Sequence, residues 1–367
     1  MDLNIRKAEA LGYDDEPYDA LLDEYEPGMK TATVAETFNS LRQNLVPIVD
    51  AIAASDPIDD DILHHSYPIH RQKTFGQSVI RNLGYDFHCG REDESAHPFT
   101  TSFSVNDVRL TTRYNESFFP SAFFSTMHEA GHGLYEQGID KTLDRTPLAD
   151  GTSLGMHESQ SRLYENLIGR SRAFWNHYYT PLRGTFPEAL SDTDRETFYR
   201  AINRVEPSLI RVEADEVTYN LHIMLRFELE RGLVSGTLDV NDLPELWREK
   251  MADYLGVVPD TDADGVLQDV HWSLGAIGYF PTYALGNLMS VQIMNQIRHD
   301  LPDLDNDISS GTFAPLLDWL RTHVHQYGRK LTATEILDQA TGQTLNAEPW
   351  LVYVREKFGD LYDLRSL

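Results

Sequence analysis

The feature that most narrows the fold is the spacing of apolar residues, which repeats at helical intervals along most of the chain. Between residues 33 and 54, Val34, Phe38, Leu41, Leu45, Val49 and Ile52 fall three or four positions apart, the stripe of a helix with one buried side. The same spacing runs through 118–137, 156–178, 195–204, 217–231, 243–255 and 316–327. Pro120 suits a first helical turn, Gly138 follows the end of that helix, and Thr152 or Ser153 offers an N-cap to the next. One segment departs from the pattern. Residues 99–105 and 108–114 are rich in β-branched and aromatic side chains around an Asn106-Asp107 turn, and predict a short hairpin just before the 118–137 helix. The polar stretches 90–96 and 259–265 read as loops. With no internal repeat and no linker, residues 1–367 read as a single, mostly α domain with a small β-hairpin beside one helix, long enough to bury a sizeable core.

Charge then limits the partners. Asp and Glu number 58 against 31 Lys and Arg, for a formal net charge of -27 and a pI near 4.7. Such a surface repels phosphate backbones and anionic lipid, which argues against nucleic acid and membrane partners. Arginine outnumbers lysine, and abundant carboxylate with little lysine points to adaptation to high salt, where self-repulsion is screened. No apolar run approaches the roughly 18 residues of a membrane span. The segment from Met1 to Lys7 leads into acidic sequence and not into an apolar signal core. The one cysteine, Cys89, permits no intrachain disulfide and fits a reducing compartment. Together these predict a cytoplasmic protein.

Within the 118–137 helix, His128-Glu129-Ala130-Gly131-His132 is an H-E-x-x-H sequence. Histidines four apart lie one turn above each other, so both imidazoles can reach one metal ion. Glu129 falls roughly a hundred degrees round the helix, placed to hold a water beside the metal and take its proton. A chance match in a chain with 14 histidines has odds of roughly a few per cent, and helical context lowers them. A catalytic zinc needs three protein ligands and an open position. His157 and Glu158, opening the next helix, both qualify for the third place, with Glu158 modestly ahead and Glu165 a weaker candidate. Two other clusters fall away. Asp260, Asp262, Asp264 and Gly265 imitate the start of a calcium loop, but its twelfth position is His271 and not glutamate. His64-His65 reads as a solvated pair.

Several motifs, in order, resemble the M32 metallocarboxypeptidases of the thermostable carboxypeptidase Taq type. They are His97-Pro98-Phe99, the run Asp107 to Thr111 as D-x-R-x-T, the H-E-x-x-H itself, and His157-Glu158-Ser159-Gln160. Further along come Ile210 to Asp215 as I-R-x-x-A-D and Gly265 to Trp272 as G-x-x-Q-D-x-H-W. The resemblance implies a zinc exopeptidase, with cobalt a possible substitute, that removes residues from the free C-terminus of peptides. It makes Glu158 the third ligand beside His128 and His132, with Glu129 as general base. It also implies a helical fold with a long groove and a homodimer. Family members typically carry additional helices before the point where this chain begins, so the resemblance also implies a shortened N-terminal side to that groove.

Recognition of a C-terminal carboxylate calls for arginine, through two parallel hydrogen bonds. Arg211 and Arg109 are the candidates inside the motifs, while Asp107 and Asp215 read as residues that orient them. Charge developing on the carbonyl oxygen needs a donor beside the metal, for which Tyr279, Tyr283 and His271 are the candidates. A zinc endopeptidase or oligopeptidase would use the same core, and an inactive shortened paralogue acting as an interaction partner is the rival of a different class. The net charge carries its own test. The thermal midpoint is expected to rise from about 0.1 M to about 1 M salt, as the screening length falls from about 10 to 3 Å. A midpoint unmoved by salt in a melting series would count against salt adaptation.

Overall fold

The computed structural model describes residues 1–364, which are mostly helical with one small sheet. The apolar stripe at 33–54 becomes α3 (Thr31–Ala53), after two short helices, α1 (Asp2–Leu11) and α2 (Pro17–Leu22). A further helix, α4 (Ile69–Leu83), precedes the sheet. The expected hairpin is β2 (Thr100–Ser104) and β3 (Asp107–Thr112), antiparallel, with a bulge between Ser102 and Ser104. The stretch read as a loop at 90–96 instead contains a strand, β1 (Gly90–Glu94), which pairs parallel with β3, giving the order β1-β3-β2. Its sequence, Gly-Arg-Glu-Asp-Glu, buries only Glu92. An edge strand held by backbone pairing leaves no apolar signal in its side chains. Alternation on β3 turns Val108, Leu110 and Thr112 inward and Asp107, Arg109 and Thr111 outward.

The buried side of the sheet rests on α5 (Phe119–Gly138), the helix that carries the H-E-x-x-H sequence, with Pro120 in its first turn. The next helix, expected over 156–178, is divided. α6 (Leu154–Arg162) starts at Ser153, whose Oγ accepts from Met156 N at 3.0 Å. It runs into a π-helical turn over Leu163–Ile168, closed by Gly169 N to Tyr164 O at 2.9 Å. The chain then breaks, and α7 (Arg172–Thr185) begins under a fresh cap from Ser171. Shorter α8 (Pro187–Leu190) and α9 (Arg195–Ile202) follow, then α10 (Tyr219–Val234) and α11 (Leu243–Leu255). α12 (Pro281–Asp300) is buried round most of its circumference, so it shows no one-sided stripe. The C-terminal part adds α13 (Leu304–Ser310), α14 (Ala314–His323), α15 (Ala333–Thr341) and α16 (Glu348–Leu361).

α6 lies between α5 and α12, and glycine on each neighbour sets the separation. A methyl group at Gly131 of α5 would stand 2.5 Å from Gln160 O and 2.6 Å from Ser161 Cα. One at Gly286 of α12 would stand 2.5 Å from Glu158 Cβ. Backbones this close leave no room for any other residue. On the other side of the core, α10 carries a buried polar row, with Tyr219, Arg226 and Glu230 spaced to share a face. That row holds the irregular segment between α11 and α12. Glu230 accepts from Tyr18 Oη at 2.6 Å, Trp272 Nε1 at 2.7 Å and Gly278 N at 3.0 Å. Among the described residues, no helix is long and apolar enough to cross a membrane.

Two predictions follow from this packing. Gly131→Ala should cost about 1–3 kcal/mol in urea unfolding, the range for forced overpacking, because backbone and not a flexible side chain must yield. Burial raises the Glu230 carboxyl to about 7, against the pull of its three donors. Raised above its unfolded value, it contributes stability that is fully present below about pH 4.5 and is lost as pH rises through about 7. Between pH 5 and pH 8 the wild type should therefore lose ground to Glu230→Gln by on the order of 3 kcal/mol. A difference between the two proteins that stays constant over that window would refute the assignment.

Candidate metal centre and the cluster beside it

His128, His132 and Glu158 converge at the contact of α5 with α6, with one ligand atom from each lying within 4.8 Å of the others. Glu158 Oε2 is 3.5 Å from His128 Nε2 and 3.6 Å from His132 Nε2. Donors about 2.0–2.1 Å from one tetrahedral ion keep a spacing of roughly 3.4 Å, so two imidazoles and a carboxylate in this arrangement fit a divalent metal. The atoms facing away from the centre are held by other groups. His128 Nδ1 lies 2.9 Å from Glu165 Oε2, and His132 Nδ1 lies 2.7 Å from His157 Nδ1. Arg162 donates to Glu158 Oε1 at 2.7 Å and to Glu165 Oε2 at 3.2 Å. Burial would raise the Glu165 carboxyl, but Arg162 and His128 hold it down near 2.

Glu129 is buried beside this centre, and Thr100 Oγ1 on β2 donates to its Oε2 at 2.6 Å. Burial pushes its carboxyl up from the usual range. The strand thus fixes one carboxylate oxygen and leaves Oε1 without a hydrogen bond from this threonine. Neither alternative for the third position reaches the centre in that role. His157 turns away to His132 and Glu136, and Glu165 approaches the far nitrogen of His128.

A second cluster, built from Arg211 and the segment before α12, meets the first through Tyr219. Arg211 donates to Asp269 Oδ1 through Nε (2.9 Å) and Nη2 (2.7 Å), and to Tyr219 Oη through Nη1 (2.9 Å). The Tyr219 ring lies under the Arg162 guanidinium at 4.4 Å. Asp269 Oδ2 accepts from Arg226 Nε at 2.7 Å. Burial, with Arg211 alongside, lowers Arg226 to about 10, so it stays charged at neutral pH. Two guanidinium groups therefore share one carboxylate, and a net positive charge remains in a buried setting. Of five N–H groups on Arg211, three are committed, leaving one on each terminal nitrogen.

His271, Tyr279 and Tyr283 belong to this cluster. His271 Nε2 is 3.1 Å from Tyr283 Oη, and its ring is 4.9 Å from that of Tyr279. Burial and Arg211 lower His271 to about 4, leaving the ring neutral at pH 7. Burial raises both tyrosines, so their hydroxyls remain donors.

Arg109 does not join them. It stands exposed on the outward side of β3, paired with both oxygens of Asp107 at 2.7 Å and lying over the Phe103 ring. Asp215 caps the approach to α10 through Val217 N, Thr218 N and Thr218 Oγ1. His64 and His65 diverge, toward Asp60 and the Ala189 carbonyl, and Asp262 is taken by Arg248. Residues that the sequence reading left out are Thr100, Glu136, Arg162, Tyr219, Arg226 and Asp269. Only Asp269 and Glu136 carried a signal, the first inside G-x-x-Q-D-x-H-W and the second one turn beyond His132.

Comparison with known proteins bears on the chain as a whole. The sequence model of the carboxypeptidase Taq (M32) metallopeptidase family matches residues 1–358. Carboxypeptidase 1 of Bacillus subtilis is 44% identical over 363 residues, covering 99% of this chain and 72% of that protein. Thermostable carboxypeptidase 1 of Thermus thermophilus is 47% identical over 348 residues, covering 95% of this chain and 68% of that one. The crystal structure of the M32 carboxypeptidase from Deinococcus radiodurans superposes with a TM-score of 0.97 at 46% identity, over 99% of this chain and 73% of that one. Matched along nearly its whole length in sequence and in fold, the chain belongs to the carboxypeptidase Taq (M32) family of metallopeptidases.

Proposed function

We propose that this protein is a zinc-dependent carboxypeptidase, a single catalytic domain that hydrolyses the C-terminal peptide bond of peptides. The observation that carries the reading is the cluster of His128, His132 and Glu158, joined through Arg162 and Tyr219 to a buried, net positive Arg211 centre. His128, His132 and Glu158 would hold zinc, which would supply Lewis-acid polarisation of the scissile carbonyl and activation of the attacking water. Glu129, held through Oε2 by Thr100, takes the proton of the attacking water on Oε1 and passes it to the leaving amine. The uncommitted N–H groups of Arg211 receive the substrate's C-terminal carboxylate, with Asp269 and Tyr219 fixing the plane of the guanidinium. The hydroxyls of Tyr279 and Tyr283 and the neutral His271 ring serve as donors to the developing oxyanion. Arg109, exposed and bound to Asp107, suits a contact with substrate at the rim better than the anchor itself. The lone thiol suits a cytoplasmic setting, and the family resemblance carries a homodimer.

The test is release of the C-terminal residue from an N-blocked dipeptide and a short peptide at high salt, each with a free or an amidated C-terminus. The wild type should act on the free forms only, chelator should abolish release, and Glu129→Gln should slow it by about 10²–10⁴-fold. Equal cleavage of amidated peptides would favour an endopeptidase. No release by folded, zinc-loaded protein would sink the enzyme reading and favour the inactive interaction partner.

A further inference from the structure

The two histidines of the centre are braced in different ways, and the difference assigns a role to two residues outside it. His128 Nδ1 meets a carboxylate directly. His132 Nδ1 meets a second imidazole, His157 Nδ1, at 2.7 Å, and His157 Nε2 lies 2.8 Å from Glu136 Oε1. Glu136 is buried one turn beyond His132 on α5, and its Oε1 also accepts from Gly151 N at 3.0 Å. The His157 ring is packed between Gly151 and Tyr135. A methyl group at Gly151 would stand 2.4 Å from His157 Cδ2, and the Tyr135 ring lies 5.0 Å from it.

Hydrogen-bond polarity then propagates along the row. An ionised carboxylate only accepts, so His157 carries its proton on Nε2. In that tautomer His157 Nδ1 keeps a lone pair, which at 2.7 Å accepts from His132 when His132 carries its proton on Nδ1. His132 Nε2 is consequently bare, and it is the atom turned toward Glu158. Reversing any link points two donors at each other or turns a proton toward the centre.

We infer that His157 and Glu136 are positioning residues that fix His132 in the Nδ1–H form and so hold its Nε2 ready for metal. The inference rests on His132 being a metal ligand, and the readouts separate the two ideas. Ring-nitrogen NMR of the metal-free protein should find His132 protonated on Nδ1 and His157 on Nε2. Chelator competition should show zinc affinity falling by about 10–100-fold in His157→Phe, the usual loss when such a partner is removed. Affinity should be partly restored in His157→Gln, whose amide oxygen can accept from His132. The visible spectrum of the cobalt-loaded protein should shift in the phenylalanine variant and return toward wild type in the glutamine one.

A wild-type spectrum with His132 protonated on Nε2 would overturn the inference without any variant. So would a folded His157→Phe protein that binds zinc within twofold of wild type. Failure of the wild type to bind zinc, with the stated tautomers in place, would overturn the metal reading while supporting the row of hydrogen bonds.

Discussion

The close approach of α6 to its two neighbours is the constraint on which the remainder rests. Gly131 and Gly286 let backbone meet backbone on one side and let α12 meet the stem of Glu158 on the other. Gly286 packs against Cβ and Cγ of Glu158, so the separation of the helices helps to set where its carboxylate stands relative to the two histidines. The same contact explains why polar side chains survive here in the interior. Ser159, Gln160 and Ser161 are fully buried, and their hydrogen bonds go to Met156 O, His325 and Glu158 O. Each has a hydrogen-bond partner, so the core bears little desolvation cost for them.

Around that contact, buried charge replaces regular structure as the means of holding position. The segment between α11 and α12 has little repeating backbone pattern, yet it carries His271 and Tyr279. Asp269 and Gln268 fasten it to Arg211 and Arg226, and Glu230 fastens it again at Trp272 and Gly278. A buried ion pair of this kind adds little net stability against an apolar substitute, but removing one partner is costly. The arrangement gives up some stability for a defined geometry in a stretch that otherwise has few reasons to adopt one.

What could be read from sequence divides along physical lines. The H-E-x-x-H sequence was legible because four-residue spacing on a helix is itself a geometric statement. The choice between His157 and Glu158 was not settled by the residues alone, since adjacent positions near a helix start both point near the centre. In the structure one faces Glu136 and the other faces the two histidines. α12 went unread because a helix buried on nearly all sides has no polar face to mark its period, and β1 because an edge strand of charged residues has no apolar one. The division of the expected 156–178 helix depends on a π turn and a cap at Ser171, which the apolar spacing does not register. Arg109 lies on the side of β3 opposite Val108 and Leu110, a placement that its motif position alone does not register.

The packing of α12 against Glu158 has a consequence for the order of events in synthesis. The H-E-x-x-H helix and α6 leave the ribosome well over a hundred residues before the helix that walls the far side of Glu158. Chains emerge N-terminus first and settle unit by unit. A nascent chain thus displays both histidines before the brace for its carboxylate exists. The packing of Glu158 is complete only when α12, in the last third of the polypeptide, has docked. The chain order thereby ties the finished setting of Glu158 to the docking of α12.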